Sequence, residues 1–319
     1  MAATAPSAVP AIRLSSGYDM PVVGMGVWRA DKGRLGALIK EAVRLGYRHF
    51  DCAADYGNEA EVGEALSAVL AEGAVRREEL FVTSKLWNSD HAHVRAACEQ
   101  SIKDLRVGYL DLYLVHFPIA TKHTGIGSTS SAMAADGMLD MDISVPLHTV
   151  WSHMEALVAD GLVRSIGISN YDVYLTRDCL AYASRVKPAV NQVETHPYFQ
   201  RPSLLQFCSK FGVTVTAHTP LGGGAANEEL FHSKSPLSDP LVLELAEKHK
   251  KTAAQVVLRW GTQRNTVVIP KSNREDRLAE NIAIFDFELD ADDMKRMEAL
   301  DAKARSNNPA SFWGIDLYA

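Results

Sequence analysis

One recurrence constrains this chain more than any other feature: eight short apolar runs, most of them followed by a stretch long enough to form a helix. The runs are VGMGVW (23–28), HFDCA (49–53), LFVTSKL (80–86), LDLYLVHF (110–117), VRSIGIS (163–169), AVNQVE (189–194), VTVTAHT (213–219) and TVVIPKS (266–272). Amphipathic segments at 35–46, 59–73, 93–105, 147–161, 252–264 and 274–285 lie between or after them. A strand that is apolar nearly throughout is buried on both faces, as in a parallel sheet covered by crossover helices. Eight right-handed crossovers close most economically into a (β/α)8 TIM barrel of the α/β class. The competing open, doubly wound sheet calls for a G-x-G-x-x-G turn after its first strand, and GMGVWR is a poor match. The 319 residues are therefore expected to form one barrel domain, 1–319, with an N-terminal hairpin at about 11–23 and an irregular tail at about 302–319. Two long, Gly/Ser-rich loops (118–145 and 221–238) follow the fourth and seventh strands, on the face where barrel loops build sites. The tail carries Phe312, Trp313 and Tyr318 and is expected to pack against the barrel.

Polar residues recur where those runs end: Asp51, Lys85, His116, Ser169 and Asn170, Gln192 and Glu194, His218, and Lys271 with Ser272. Barrel strands converge at their carboxyl ends, so these groups are expected to face one cavity. Their types suit carbonyl reduction, in which hydride addition leaves an alkoxide that needs a proton. Tyr56, just past the second strand, is the candidate general acid, but a free phenol with a pKa of about 10 is a sluggish donor. A neighbouring ammonium stabilises the phenolate and lowers that pKa, and Lys85 could supply it. Asp51 would neutralise and orient Lys85, and His116 could direct the carbonyl oxygen. Taken singly, Tyr56 reads equally as a rim aromatic, His116 as a satisfied core histidine, and Asp51–Lys85 as a structural ion pair. Their concurrence on three adjacent strands favours chemistry. A Schiff-base aldolase using a neutral Lys85 and a non-catalytic nucleotide-binding module are the rival readings.

The net charge of −6 gives no general attraction to nucleic acid or to an anionic membrane, so an anionic ligand must be held by a local basic cluster. No apolar run approaches the ~18 residues of a membrane span. The four cysteines, Cys52, Cys98, Cys179 and Cys208, are scattered, which suits a reducing compartment. The Ala/Ser-rich start has no charged n-region or apolar h-region, and a cytoplasmic protein, monomeric or weakly dimeric, is expected. His91-x-His93 has no third ligand at zinc spacing, so no metal is expected and the pair reads as capping or solvent-exposed.

Three segments together resemble the aldo-keto reductase family: GYRHFDCAADYGNEAEVGEAL (46–66), LDLYLVHFP (110–118) and IPKSNREDRLAENIAIFDFEL (269–289). The similarity runs in order from about residue 12 to the end of the chain. It implies that Asp51, Tyr56, Lys85 and His116 are the catalytic tetrad and that NADPH supplies the hydride. It further implies that Ser169, Asn170 and Gln192 bond the nicotinamide carboxamide. By the same resemblance Lys271, Ser272, Asn273 and Arg277 hold the adenosine 2′-phosphate, and Glu280 and Asn281 contact adenine. Leu221, Gly222 and Gly223 match the loop that folds over the pyrophosphate. The cations Lys271 and Arg277, lying within seven residues on an acidic chain, agree physically with a phosphate dianion site. Where many relatives stack a tyrosine on the nicotinamide, this chain has His218, which implies weaker or pH-dependent cofactor binding.

DCAADYGNEAEVG, HFPIATKHTGIG, KPAVNQVETHPYFQRP, AHTPLGGG and NNPASFWGIDLYA look most like the plant aldose-6-phosphate reductases, with yeast-type xylose reductases next. The implied substrate is a small carbonyl, an aldose or aldose 6-phosphate, in a pocket of Trp28, Asp55, Trp87, Phe117, Arg305 and Asn307. Broad reduction of non-phosphorylated aldehydes is the alternative. The plant group carries a lysine directly after the catalytic tyrosine, and this chain has Gly57 there, as xylose reductases do. A substrate phosphate would then depend on Lys122, His123 or Arg305.

Overall fold

A computed structural model describes residues 9–31, 33–223 and 234–318. Its main sheet has eight parallel strands in sequential order: β3 (Met25–Gly26), β4 (His49–Asp51), β5 (Phe81–Leu86), β6 (Leu110–Val115), β7 (Val163–Ser169), β8 (Val190–Glu194), β9 (Thr214–His218) and β10 (Thr266–Val268). The sheet closes on itself. Val23 bridges Val268 in parallel, and the Gly24 and Gly26 amides donate to the carbonyls of Val268 (2.9 Å) and Pro270 (3.1 Å). The expected barrel is the observed one. The first and last strands are shorter than their apolar runs, because residues 27–28 and 269–272 already turn into the mouth.

Two strands, β1 (Ala11–Arg13) and β2 (Asp19–Pro21), pair antiparallel as the N-terminal hairpin. Their link and edge bury Leu14 and Met20 against Phe81, Leu112, Val190 and Val267, which covers the end of the barrel opposite the polar strand ends.

The outer helices form for ordinary reasons. Helix α1 (Leu35–Leu45) places Leu35, Leu38, Ile39, Ala42 and Val43 on one buried face and stops at Gly46, whose φ of 101° lets its N–H reach back to the carbonyls of Ala42 and Val43. Helix α2 (Glu59–Ala71) approaches the C-terminus of the next helix so closely that a Cβ on Gly63 would lie 2.0 Å from the Asp104 carbonyl oxygen. Glycine is required there by packing.

Helices also follow the fifth and sixth barrel strands (Val173–Tyr182 and Pro202–Lys210), where the sequence pattern is weak. Residues 118–145 form no helix or strand; the bridges Thr121↔Met141 and Met133↔Leu139 fold the segment on itself, and the Thr121 amide ties it to the Asn88 carbonyl at 3.0 Å. Part of the second long loop, 224–233, lies outside the described residues. The tail packs as expected: Ala310–Trp313 forms a short helix, Trp313 is buried, and its carbonyl accepts the Leu139 amide at 2.8 Å.

Candidate active site

The strand ends surround a cleft of about 780 Å³. Asp51 closes β4 opposite Thr83 of β5, and Lys85, two residues on and therefore on the same face, reaches back to it. Tyr56 is carried by the single 3-10 turn Ala54–Tyr56, which ends at Gly57 with φ 65°. The Lys85 ammonium is fully buried, and each of its three hydrogens has an acceptor: Asp51 Oδ2 at 2.7 Å, the Cys52 carbonyl at 2.8 Å and Tyr56 Oη at 3.0 Å. Asp51 in turn accepts from Gln192 Nε2 at 2.6 Å through its other oxygen.

Electrostatics follow from this packing. Burial alone would lower the Lys85 pKa, but Asp51 and Tyr56 outweigh it and hold the ammonium above its ordinary range. Burial pushes the Tyr56 phenol up to about 12, against the pull of Lys85. This corrects the expectation that the lysine makes the phenol acidic: in the free protein desolvation wins, and Lys85 only limits the rise. Burial, with Lys85 and His218 nearby, holds His116 well below its ordinary value, so its imidazole is neutral.

At this end Trp28, Asp55, Trp87, Phe117 and Asn307 line the cleft as expected, joined by Thr129, Ser131, Met133 and Trp313. The aromatic wall is continuous. The rings of Trp87 and His116 are 5.2 Å apart, His116 and Phe117 stack at 5.1 Å, and Phe117 meets Trp313 edge-on at 4.8 Å. Burial raises the Asp55 carboxyl to about 7.

Midway, Ser169 Oγ donates to the Gln192 carbonyl at 2.8 Å, and Asn170 Nδ2 donates to the His116 carbonyl at 2.9 Å. Asn170 Oδ1 lies 3.2 Å from His218 Nε2. Burial brings His218 down to about 4, so it stays neutral from pH 5.5 to 8 and the expected pH dependence does not arise from it. NADPH affinity measured by fluorescence titration should therefore show the same pH profile in wild type and His218→Tyr, even if the constants differ. A profile that flattens only in the variant would contradict this.

At the far end Arg29, Lys271, Ser272, Asn273, Arg274 and Arg277 line the cleft. Among the described residues, neither Lys271 nor Arg277 has a carboxylate at ion-pair distance, whereas Arg274 is paired with Asp276. Asn273 Nδ2 donates to Asp31 across the opening at 2.6 Å. Leu221 and Gly223 also line the cleft.

A search against family patterns matches the Aldo/keto reductase family over residues 22–302. The chain belongs to that family. The family member is 55% identical over 97% of its length to an NADP-dependent D-sorbitol-6-phosphate dehydrogenase of Malus domestica, covering 99% of that protein. It is 42% identical over 97% of its length to an NAD(P)H-dependent D-xylose reductase of Candida tropicalis, covering 98% of it. Among solved structures it superposes on an aldose reductase from Schistosoma japonicum with a TM-score of 0.87 at 40% identity, with 97% of this chain and 98% of that one covered.

Several expected positions of this aldo-keto reductase fall elsewhere. Gly222 sits behind the lining with φ 68°, where a Cβ would lie 2.3 Å from Pro236 Cδ, so its glycine answers a packing need. Asn281 is buried and, like Glu280, is absent from the cleft wall; the Glu280 carbonyl instead accepts from Gln255. Arg305 does not line the cleft either. It stacks over Tyr318 at 3.5 Å and lies 3.9 Å from Glu194. Nor do Lys122 and His123, which pair with Asp142 at 3.8 Å and Asp90 at 3.1 Å. His91 is buried, against the expectation of capping or exposure, and His93 meets the His123 ring at a tilt, centroids 4.2 Å apart, without capping its helix. The sequence reading missed Arg29, Arg274, Thr219, Pro220, Thr129, Ser131 and Met133 because loops carry no periodic signal.

Proposed function

We propose that this protein uses NADPH to reduce, reversibly, the aldehyde of an aldose or aldose 6-phosphate to the alditol or alditol phosphate. The observation that carries this reading is the buried Lys85 ammonium bonded at once to Asp51 and to the Tyr56 hydroxyl, beside a neutral His116 at the end of the cleft. The residues present fit the nucleotide. Lys271 and Arg277, without ion-pair partners among the described residues, suit a 2′-phosphate, Asn273 adds an amide, and Ser169, Asn170 and Gln192 stand midway along the cleft. When bound, the nicotinamide would supply the hydride.

The remaining chemistry belongs to the chain. His116 would hold the carbonyl oxygen, and the Tyr56 O–H would protonate it as it becomes an alkoxide. A phenol protonated at neutral pH is the form that donation needs. Once the proton leaves, the Lys85 ammonium at 3.0 Å stabilises the phenolate in a dry site, where charge interactions are strong. Asp51 keeps Lys85 charged and oriented, and Gln192 orients Asp51. Trp28, Trp87 and Phe117 keep water from the reacting carbon. The charged state of Lys85 counts against Schiff-base chemistry, which needs a neutral amine.

One observation favours uncharged substrates over phosphates. Among the described residues, the arginine and lysine side chains lining the cleft are Arg29, Lys271, Arg274 and Arg277, all carried by the segments that follow β3 and β10. The aldehyde end offers Asp55, Asn307, Thr129 and Ser131 instead, and Gly57 adds no cation. Values of kcat/KM for xylose and glucose are accordingly expected to equal or exceed those for glucose 6-phosphate and mannose 6-phosphate. A clear preference for the phosphates would leave the reductase assignment intact and reverse this choice.

Four buried cysteines, all unpaired, support a reducing compartment such as the cytoplasm. No helix among the described residues is long and apolar enough to cross a membrane. We take the whole chain, 1–319, to act as one barrel unit, as a monomer or weak homodimer; the single sheet of eight strands supports the one-unit reading.

A further inference from the structure

Glu194 ends β8, where a strand-end carboxylate is expected to face the cleft, yet it does not line the cleft. It is fully buried, and its oxygens are bonded to the C-terminal tail and to His196. Oε1 accepts the Ser306 amide in a short contact and His196 Nε2 at 2.9 Å; Oε2 accepts the Asn307 amide at 3.0 Å. Arg305, one residue earlier, adds its guanidinium at 3.9 Å. A buried carboxylate is costly unless donors surround it, and here two of them are consecutive backbone amides of a segment that otherwise has little regular structure.

The tail clamped in this way supplies Asn307, Pro309, Phe312, Trp313 and Tyr318 to the cleft wall. Its later part is held mainly by apolar packing. Trp313 clusters with Trp87, Phe117 and Leu139, its carbonyl accepts the Leu139 amide, and Tyr318 Oη lies 3.4 Å from Asn170 Oδ1. The polar tie between the start of the tail and a barrel strand is the two-amide clamp, and it falls at Asn307, a residue that lines the cleft.

We propose that Glu194 is a positioning residue for substrate selection: by gripping the backbone of Ser306 and Asn307 it sets where Asn307 and the aromatic tail stand over the cleft. This rests on the reading of the protein as an aldose reductase, because only a substrate with hydroxyls beyond the carbonyl would sense the position of Asn307. Glutamine keeps the shape of Glu194 but sets an NH2 group against one of the amides, so Glu194→Gln should release part of the tail and leave Lys85, Tyr56 and the basic end of the cleft untouched.

The test compares propanal with whichever of xylose, glucose and glucose 6-phosphate the wild type reduces best. For that aldose, Glu194→Gln is expected to raise KM by about tenfold while kcat falls less than about threefold. KM for propanal and Kd for NADPH, from tryptophan quenching, should stay within about twofold of wild type. Glu194→Gln combined with Asn307→Ala should be no worse on the aldose than the worse single variant, since both act through one contact. If Glu194→Gln does not fold, Ser306→Pro removes one tail amide and leaves the barrel intact, and the same split is expected of it. Equal losses on propanal and aldose, or an unchanged aldose KM, overturn the role of Glu194 alone. A wild type inactive on every aldose but active on propanal overturns the functional reading on which that role depends.

Discussion

Tyr56→Phe is expected to lower kcat for aldehyde reduction by about 10²–10⁴-fold, with NADPH affinity and thermal stability close to wild type. The change removes one oxygen. That oxygen accepts a single hydrogen bond from Lys85 at 3.0 Å, and the ammonium keeps its two other acceptors, Asp51 and the Cys52 carbonyl. The loss should therefore fall on the proton-transfer step and spare the fold. Lys85→Met is the less informative experiment, because it leaves the buried Asp51 carboxylate without its cation. Breaking a buried pair in this way costs about 3–5 kcal/mol, enough to confuse unfolding with inactivity. Steady-state rates on purified, NADPH-saturated Tyr56→Phe protein decide the matter. Turnover equal to wild type would remove the phenol from the mechanism and leave His116 as the proton source to examine.

The second large effect is expected at the other end of the cleft. Lys271→Ala with Arg277→Ala should weaken NADPH binding by about 10²–10⁴-fold, because each charge-assisted contact to a dianion contributes about 1.5–3 kcal/mol. NADH lacks the 2′-phosphate, so its affinity should change by less than about threefold and the cofactor preference should collapse. Wild-type NADPH binding should also weaken as salt is raised, and the double variant should lose most of that dependence. Lys271 is suited to this role in part because burial already holds its pKa below the ordinary lysine value, so an arriving phosphate restores stabilisation to the charged form. Parallel losses for NADPH and NADH in the double variant would show that these side chains support the cleft wall and do not read the phosphate.

The barrel and the group of Asp51, Tyr56, Lys85 and His116 were legible in the sequence because both are tied to the strands, Tyr56 by the short turn that follows one. Asp51 and Lys85 lie at the ends of apolar runs, and parallel strands in consecutive order must bring those ends together. Glu194, by its strand-end position, and Arg305 and Gly222, by resemblance, were expected at the cleft and stand elsewhere. A place near the mouth does not fix whether a side chain turns toward the cleft or toward a neighbouring segment. Glu194 turns to the tail, Arg305 stacks on Tyr318, and Gly222 makes room for Pro236. The lining residues Thr129, Ser131 and Met133 come from a segment without helix or strand, where no period marks a facing side chain.

The alternation of apolar runs and amphipathic stretches, with no Gly-rich turn after the first run, by itself pointed to the fold, since closing eight two-sided strands into a barrel covers them most economically. It also determined which residue types meet at the mouth. Only the tertiary structure decided their ionisation and their reach. Desolvation around Tyr56 and His218 depends on every atom packed about them, and it reversed or cancelled the shifts that neighbouring charges alone would suggest. Which cations face the cleft likewise depends on where loops and tail come to rest, a matter of long-range contacts that local sequence does not encode.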